Sequence, residues 1–358
     1  MENIYRPEFF NINEQDQRER YNNLLKKENI DVFDTISVQL EELIKIQNPD
    51  KRIKREEFNA LIKMHLGDIE LINYGVWVYY PWSNRIVHLL PEEEFIKVRT
   101  NRNRNKITNE EQSSLREKKI GVVGLSVGQS IALTMAMERI CGTLRLADYD
   151  FVELSNLNRI RTGVHNLGIS KTVLAAREIS EIDPFIKVEV FSDGLHTDNI
   201  KEFITDNGGL DMMVEVCDNM ETKVKSRVEA RKYHVPVVME TNDRCMVDIE
   251  RFDLEPDRPI LHGRVTEKDA KNLSNLSDDE RLDLVSRIVD GDQLSTRMKQ
   301  SFGEIGKTLN AWPQLASSVT MGGGVVTEIV RRILLDDDIP SGRCYLDIED
   351  ILLNSLRK

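Results

Sequence analysis

The sequence has 358 residues, of which 40% are hydrophobic and 31% are charged, and its formal net charge is −12. This length and composition are typical of a globular chain of one or two domains. The acidic balance disfavours general nucleic-acid binding, which requires a positive surface. No apolar run reaches the roughly 20 residues of a membrane span. The polar N-terminus shows no signal peptide, so we expect a cytoplasmic protein without a membrane partner.

The four cysteines are far apart, at positions 141, 217, 245 and 344. None forms a C-x-x-C pair, which argues against a structural zinc site. Their spacing is typical of reduced thiols in a cytoplasmic protein.

The N-terminal region combines a helical pattern with a predicted hairpin. Apolar residues recur at helical spacing within residues 1–70, and two β-rich runs flank a Pro-Trp-Ser-Asn turn in residues 74–90. Residues 99–112 are basic and polar, and we interpret them as a linker. We therefore predict an N-terminal helical and hairpin region over residues 1–98 and a second domain over residues 99–358.

Short apolar strands alternate with helical patterns from residue 119 to about residue 240. This alternation predicts an α/β fold: a doubly wound, Rossmann-like and mostly parallel sheet with helices on both faces. Right-handed crossovers place the carboxyl ends of the strands at one edge, where ligands bind.

The C-terminal third contains a polar segment and a long apolar helix. Residues 251–310 are irregular and form a candidate substrate or lid segment. The helix at 313–335 contains Gly322, Gly323 and Gly324, which predicts either close packing against a neighbouring backbone or a break.

A glycine turn joins the first predicted strand of the sheet to its helix in VVGLSVGQS, residues 122–130. Gly124 permits a sharp turn, and Gly128 permits a ligand to approach the backbone. The following helix N-terminus offers free N–H groups to phosphates. Ser126 and Gln129 stand where glycines are usual, so the motif alone also fits a plain strand-to-helix turn.

Asp148 ends the second strand, at the distance from the glycine turn that is expected of an acid binding ribose hydroxyls. A strand-end acid or a helix cap is the alternative. The turn and the acid fit NAD as well as ATP. The basic and amide residues that follow favour ATP, because nucleotidyl transfer requires donors that neutralise phosphate charge. These donors are Asn156, Arg159, Arg161 and Lys171.

Asp218 follows the fourth strand and is therefore expected at the same sheet edge. A carboxylate there can hold Mg²⁺ against triphosphate oxygens. The alternative role is an N-cap for the helix that starts near Asn219.

Residues 100–250 resemble the ThiF/MoeB superfamily, which includes the ubiquitin-activating enzymes. The shared string is the glycine turn, then D-x-D-x-V-E-x-S-N-L-N-R, then G-x-x-K, then D-N. The motifs GLSVGQS and ELSNLNR are most similar to a bacterial branch, some members of which continue into a nitroreductase-like domain. The resemblance implies ATP and Mg²⁺, with Asp218 as the metal ligand. It implies a nucleotide site formed by Gly124, Ser126, Gly128, Asp148, Asp150, Asn156, Arg159, Lys171 and Asn219.

The resemblance also implies a homodimer, in which an arginine before the first strand reaches into the partner's site. Arg104 is the first candidate for this arginine and Arg102 the second. Many members of the superfamily transfer the acyl group to a thiol. Cys245 is the best-placed candidate by position, although a cysteine is more often a small buried residue. His262 and Arg264 are candidates for lining an acyl pocket.

The function that these residues predict is adenylylation of a carboxylate through an acyl-adenylate. Arg159, Lys171, Asp218 and Arg104 are its expected catalytic residues. The carboxylate belongs either to the C-terminus of a small ubiquitin-like carrier protein or to a small molecule. Three alternatives remain open: an enzyme like the tRNA threonylcarbamoyladenosine dehydratases, an NAD(P)-binding oxidoreductase, and a nucleotide-binding scaffold without catalysis.

Overall fold

The computed structural model describes residues 4–356, and for residues 267, 272, 274 and 278 it describes the backbone only. The chain divides into two compact units. The first contains the residues up to Gln112 together with Ser180–Phe185, and the second contains Ser113–Ile179 and the residues from Ile186 on. The boundary predicted from sequence, between residues 98 and 99, lies before this division.

The first unit contains a four-stranded sheet and helices. Its elements are β1 (Glu8–Phe10), α1 (Gln15–Leu25), β2 (Asp31–Asp34), α2 (Ile36–Gln47), α3 (Phe58–Leu66), β3 (Val76–Tyr80), β4 (Arg85–Leu89) and α4 (Glu92–Arg99). The strand order is β1-β3-β4-β2, with β3 and β4 forming the predicted antiparallel hairpin. Strands β1 and β2 were not predicted from sequence, because they are only three and four residues long and mostly exposed, so they show no apolar pattern.

Residues 99–112, interpreted from sequence as a linker, are ordered. They include a 3-10 turn at Asn101–Asn103 and the first residues of helix α5 (Asn109–Arg116). Thr108 and Glu111 bond to each other through backbone and side chain at the start of this helix, which fixes its first turn.

The second unit contains the predicted α/β sheet. Its elements are β5 (Lys119–Val123), α6 (Gly128–Glu138), β6 (Thr143–Ala147), α7 (Lys171–Ile182), β7 (Lys187–Phe191), α8 (Ile200–Thr205), β8 (Met212–Glu215), α9 (Met220–Lys232), β9 (Val237–Thr241), β10 (Met246–Glu250), α10 (Glu267–Asn272), α11 (Asp278–Val289), α12 (Thr296–Phe302), α13 (Ala316–Leu334), β11 (Gly342–Tyr345) and α14 (Ile348–Leu356). The last residues of α7 belong to the first unit.

The seven strands are ordered β11-β10-β9-β8-β5-β6-β7. The five strands from β9 to β7 are parallel, whereas β10 and β11 are antiparallel to their neighbours. Strand β5 is buried along its whole length, as expected of a central strand with both faces covered. The doubly wound, mostly parallel fold predicted from sequence is confirmed. It brings the residues after β5, β6 and β8 to one edge.

The three consecutive glycines lie inside the continuous helix α13, which packs on α6. A Cβ atom on Gly323 would lie 3.1 Å from the carbonyl oxygen of Ser130 in α6. A Cβ atom on Gly322 would lie 2.6 Å from the carboxyl carbon of Glu240. The predicted close packing is therefore confirmed, and the alternative of a break is not observed.

We expect Gly323→Ala to be about 1–3 kcal/mol less stable than Gly324→Ala, because added volume in a packed contact forces neighbours apart. Gly324 is the matched control, since it is exposed and a Cβ atom there has no neighbour within 4 Å. Gly324→Ala should gain up to about 1 kcal/mol of helix propensity. Urea unfolding measures both variants, and equal stabilities would contradict the close packing of α13 on α6.

Candidate functional site

The glycine turn after β5 requires glycine at position 124. Gly124 has a φ of +87°, and a Cβ atom there would lie 2.8 Å from the backbone of Cys217. Its N–H donates to the carbonyl of Ala147 at 2.9 Å, which joins the turn to the end of β6. The turn is thus fixed between the ends of the two neighbouring strands, where no side chain fits.

At the start of α6, Gly128 and Gln129 position the helix against β5, α7 and the loop after β6. A Cβ atom on Gly128 would lie 2.8 Å from Cγ1 of Val122, so this glycine permits close packing of helix on strand. Gln129 is buried; its Nε2 donates to Glu178 at 2.6 Å, and its Oε1 accepts from the N–H of Arg161 at 3.1 Å. The glutamine therefore ties α6 to α7 and to the loop after β6.

Asp148 lies buried beside the glycine turn. Its Oδ2 accepts from the N–H of Leu125 at 2.6 Å, and its Oδ1 accepts from the N–H of Asp150 at 2.8 Å. Burial raises the pKa of this carboxyl, while Lys171 and the two N–H groups oppose the shift. Since a carboxylate has about four lone-pair sites, each oxygen can still accept one further hydrogen bond.

Lys171 is the first residue of α7, and its ammonium group is buried. Its Nζ lies 2.7 Å from Oδ2 of Asp150, and its backbone N–H donates to the carbonyl of Asp150 at 3.0 Å. Asp150 thus fixes the lysine from two sides, next to the acid at the end of β6. A buried ammonium at this position is suited to meet a phosphate.

Arg159 is attached directly to the glycine turn. Its Nε donates to Oγ of Ser126 at 2.9 Å, and its guanidinium also donates to Oδ1 of Asn158 at 2.8 Å. Burial lowers the pKa of Arg159, and the negative charge of Asp218 opposes this shift. Ser126, which stands where a glycine is usual, therefore orients an arginine.

Asn156, in the same loop, is buried, and its Oδ1 accepts from the N–H of Glu153 at 3.1 Å.

Asp218 follows β8, and its side chain is exposed at the rim of a cavity. The cavity walls exclude part of the water and raise the pKa of this carboxyl, an effect that Lys223, Arg159 and Lys171 oppose. The charges of Asp218, Arg159 and Lys171 therefore influence one another. The cap of α9 is Asn219, whose Oδ1 accepts from the N–H of Thr222 at 2.9 Å, so Asp218 does not have the alternative role of N-cap.

A buried ion network supports the strand end that carries Asp218. Glu215 is fully buried, pairs with Lys223 at 2.8 Å and with Arg227, and accepts from the N–H of Cys217 at 2.9 Å. Arg227 also pairs with Glu250 of β10 at 2.6 Å. Burial alone would raise the pKa of Glu215, but Lys223 and Arg227 outweigh it and lower the pKa to about 2.

Glu215→Gln should lower the free energy of unfolding by about 3–5 kcal/mol, because it leaves buried cations without a partner. Since the folded pKa of about 2 lies below the ordinary glutamate value, the ionised Glu215 stabilises the fold above roughly pH 4. That contribution is lost as the pH falls toward 2. Chemical unfolding at several pH values measures both effects.

The matched control is Glu221→Gln on α9, where an exposed glutamate pairs with Lys225. An exposed pair of this kind contributes at most about 0.5 kcal/mol. Equal losses in Glu215→Gln and Glu221→Gln would contradict a stabilising role of the buried network.

A cavity of about 740 Å³ opens beside Asp218. Helices α11 and α12 and the segment before α13 supply its apolar wall, with Leu282, Val285, Ile288, Met298, Phe302 and Trp312. Polar lining residues include Glu240 at the end of β9, Asn242 and Asp243 in the loop after it, and Lys223 in α9. The segment 251–310, singled out from sequence as a candidate substrate or lid segment, thus contributes much of the wall.

The sequence offered no signal for Glu240, because a single glutamate at the end of an apolar strand is unremarkable as a pattern. Glu240 is buried, and burial raises its pKa to about 8. Apart from the thiol of Cys245, a weak donor, its two carboxyl oxygens have no hydrogen-bond partner among the residues described. The oxygens Oδ1 of Asn242 and Oε1 of Gln314, on two other cavity-lining residues, are likewise unpaired within residues 4–356.

Cys245 lies in a buried environment that disfavours a nucleophile. Burial raises the pKa of its thiol to about 12, so the thiol is protonated at neutral pH. Cys217 lines the cavity beside Asp218, and burial raises its thiol pKa well above the ordinary value as well. Cys141 is buried, and Cys344, on the edge strand β11, is exposed.

His262 and Arg264, proposed from sequence as pocket residues, are engaged elsewhere. His262 Nε2 lies 3.0 Å from Oδ2 of the buried Asp248, and Arg264 pairs with Asp290 at 3.2 Å. Among the described residues that line the 740 Å³ cavity, neither His262 nor Arg264 is found.

Arg104 belongs to the first unit, where its side chain is exposed on the wall of a separate cavity of about 460 Å³.

Within the described part of the chain, no group of three or more His, Cys, Asp or Glu side chains is placed to hold a metal ion. The single carboxylate of Asp218 is compatible with this finding, because Mg²⁺ commonly uses one or two protein carboxylates plus phosphates. None of the described helices is long and apolar enough to cross a membrane.

The sheet order, the glycine turn after β5 and the acid at the end of β6 define a Rossmann-like α/β protein. The family model of the ThiF family matches residues 100–345, which is more than half of the chain. The chain therefore belongs to the ThiF family, and the resemblance found from sequence is confirmed.

Two curated relatives illustrate the similarity. An uncharacterised protein of Mycobacterium tuberculosis (strain CDC 1551 / Oshkosh) is 45% identical over 276 residues, which are 77% of this chain and 38% of that protein. The ubiquitin-like modifier-activating enzyme 5 of Bombyx mori is 32% identical over 126 residues, which are 33% of this chain and 32% of that protein. The matches thus span about a third of the length of these relatives.

Solved structures with a similar fold include two from E. coli. The tRNA N6-threonylcarbamoyladenosine dehydratase TcdA in complex with ATP has a TM-score of 0.48 at 18% identity, over 67% of this chain and 95% of that chain. MccB with ATP has a TM-score of 0.47 at 13% identity, over 87% of this chain and 88% of that chain.

Proposed function

We propose that this chain binds ATP at the glycine turn and adenylylates a carboxylate. The observation that carries the proposal is the meeting of Asp148, Arg159, Lys171 and Asp218 at one sheet edge, beside a cavity large enough for a second substrate. A hydride-transfer enzyme would leave the two cations and Asp218 without a role. Membership of the ThiF family, with homology to ubiquitin-like modifier-activating enzymes, agrees with an ATP-using activating enzyme.

The nucleotide would lie along the carboxyl edge of β5 and β6. The free lone pairs of Asp148 accept the ribose hydroxyls, while Lys171 and Arg159 contact phosphate oxygens. Phosphate would take the place of Asp150 or Ser126 as one partner of each cation. Gly124 and Gly128 shape the turn, and Asn156 and Asn219 keep the flanking loops in place.

Mg²⁺ would be held by the exposed carboxylate of Asp218 together with phosphate oxygens. A hard cation with a single protein carboxylate fits this donor set. When bound, Mg²⁺ neutralises charge on the phosphates during nucleotidyl transfer.

In the reaction, a carboxylate oxygen of the second substrate attacks the α-phosphorus of ATP. The new bond joins that oxygen to the α-phosphorus, and the bond from the α-phosphorus to the bridging oxygen of pyrophosphate breaks. The products are an acyl-adenylate and pyrophosphate. Lys171 and Arg159 stabilise the negative charge that accumulates on the phosphate oxygens, and the apolar cavity wall excludes water from the mixed anhydride.

The proposed partner is a carboxylate, either of a small ubiquitin-like carrier protein or of a small molecule. We further propose a cytoplasmic homodimer, in which Arg104 of each protomer completes the site of the other. The family resemblance and the exposed position of Arg104 support this arrangement.

Carboxylate-dependent ATP–pyrophosphate exchange tests the proposed function. We expect exchange that requires both Mg²⁺ and a carboxylate, and calorimetric titrations in which ATP binds more tightly than NAD. Binding of ATP without exchange for any carboxylate in a cell extract would instead favour a nucleotide-binding scaffold. Preferential binding of NAD would favour an oxidoreductase.

A further inference from the structure

The 740 Å³ cavity beside Asp218 has a chemical asymmetry that restricts what can fill it. One side is formed by the apolar side chains of α11 and α12 and by Trp312. The lining also carries buried oxygens, on Glu240 and Asn242 near the end of β9 and on Gln314 before α13, that are unpaired in the described structure apart from the thiol contact of Glu240. A buried acceptor without a donor is costly, so these oxygens indicate a ligand or water that brings N–H or O–H groups.

Glu240 is the most restrictive of these groups, because it is 3% exposed. Helix α13 approaches it only because position 322 is a glycine, so this helix supplies no donor side chain at the closest contact. The titratable group that faces Glu240 is the thiol of Cys245, whose own pKa is raised. The neutral carboxyl can accept from an amide N–H group, whereas an ammonium group would ionise it and form an ion pair with it, so neither ligand leaves an isolated buried charge.

The position of the cavity determines which end of the ligand faces the nucleotide. Asp218 lies at the rim, in the loop after β8 that also contributes Val216 and Cys217 to the lining. A carboxylate to be adenylylated must lie at this rim, next to the proposed phosphate site. The rest of the molecule then extends between the acceptors on the β9 side and the apolar wall of α11 and α12.

We infer that the acyl substrate is an α-amino acid unit with a large apolar side chain, either free or as the last residue of a peptide. Its side chain packs against the apolar wall, and its N–H groups donate to the unpaired oxygens, which include those of Glu240. A terminal glycine, which has no side chain, would leave the apolar wall uncovered. This inference rests on the proposed function and specifies the substrate of that site.

Calorimetric titration and ATP–pyrophosphate exchange, applied to one panel, test the inference. The panel contains free leucine, phenylalanine and glycine, and the peptides Gly-Gly-Leu, Gly-Gly-Phe and Gly-Gly-Gly. We expect the leucine or phenylalanine form to bind at least roughly tenfold more tightly than the glycine form in the same series. The series that binds more tightly identifies the source as a free amino acid or a peptide.

The acceptor role of Glu240 is tested separately with leucine and with 4-methylpentanoate, which has the same side chain without the amine. The wild-type chain should bind leucine roughly tenfold more tightly, and Glu240→Met should bring this ratio close to 1. Glu221→Met, at an exposed site on α9, is the control and should keep the wild-type ratio. Because Glu240→Met removes an unpaired buried group, it should fold, and thermal melting verifies this.

Equal or tighter binding of the glycine-ended compounds would overturn the inference, as would a leucine preference that Glu240→Met leaves unchanged. Preferential binding of an apolar amino acid unit without any pyrophosphate exchange would refute the proposed function but support the substrate class. Exchange with the glycine-ended peptides alone would support the proposed function and overturn the inference.

Discussion

An Asp218→Asn protein should still fold and bind ATP, but its ATP–pyrophosphate exchange should fall by at least about 10²–10³-fold. Asparagine keeps the size of the side chain and removes the charge that would hold Mg²⁺ against the phosphates. The side chain is exposed at the cavity rim and does not cap α9, so the substitution disturbs no described structural contact of Asp218. The loss should therefore appear in kcat of the exchange reaction rather than in thermal stability.

Asp198→Asn is the matched control, because Asp198 is 94% exposed in the same unit. Its exchange rate and its melting temperature should equal those of the wild-type chain. Wild-type exchange by Asp218→Asn would remove the main support for the proposed mechanism. A lower melting temperature without loss of exchange would assign Asp218 a structural role instead.

The second large effect is expected at Arg104. Arg104→Ala should lower exchange by about 10²-fold or more, since an arginine that contacts the phosphates stabilises the charge of the transition state. Arg102→Ala should have a smaller effect, because Arg102 is the second candidate for this role. Both side chains are exposed, so the melting temperatures of both variants should remain near that of the wild-type chain.

Heterodimers distinguish action within one protomer from action on its partner. An Arg104→Ala chain and a Lys171→Ala chain, each inactive alone, are expressed together with different tags and purified through both. If Arg104 acts on the partner's site, each heterodimer has one intact site and about half of the wild-type exchange rate. An inactive heterodimer would show that Arg104 and Lys171 of the same protomer serve one site, and failure to isolate a doubly tagged species would refute the homodimer.

The sheet was predictable because its signals are local. Alternating apolar strands and helices specify a doubly wound fold, and Gly124 signals the sharp turn that its φ of +87° requires. Residues after the strand ends were predictable for the same reason: once the fold is known, Asp148 and Asp218 must lie at one edge. Their assigned roles, like that of Asn156, stay predictions, and Asp218→Asn tests the role of Asp218.

The cavity could not be predicted in the same way. Its apolar wall comes from α11 and α12, whose sequences look like ordinary amphipathic helices, and only tertiary packing brings them into one cavity with Glu240. The strands β1 and β2 were missed because each is too short to show a period. Gln129 was interpreted as a departure from a phosphate-binding glycine, although its side chain instead joins two helices and a loop.

The buried ion network, formed by Glu215, Lys223, Arg227 and Glu250, restricts how the sequence can change in evolution. Each member is buried and balanced by the others, so a change at one position leaves an unpaired charge. Replacing all four residues together by apolar residues of similar volume would cost the fold much less stability than replacing any one of them alone. Related sequences should therefore either retain the acidic and basic residues at these four positions together or have lost them together. Relatives would then form two groups, with a charged or an apolar network beneath the loop that contains Asp218, and few sequences would have only part of the charged set.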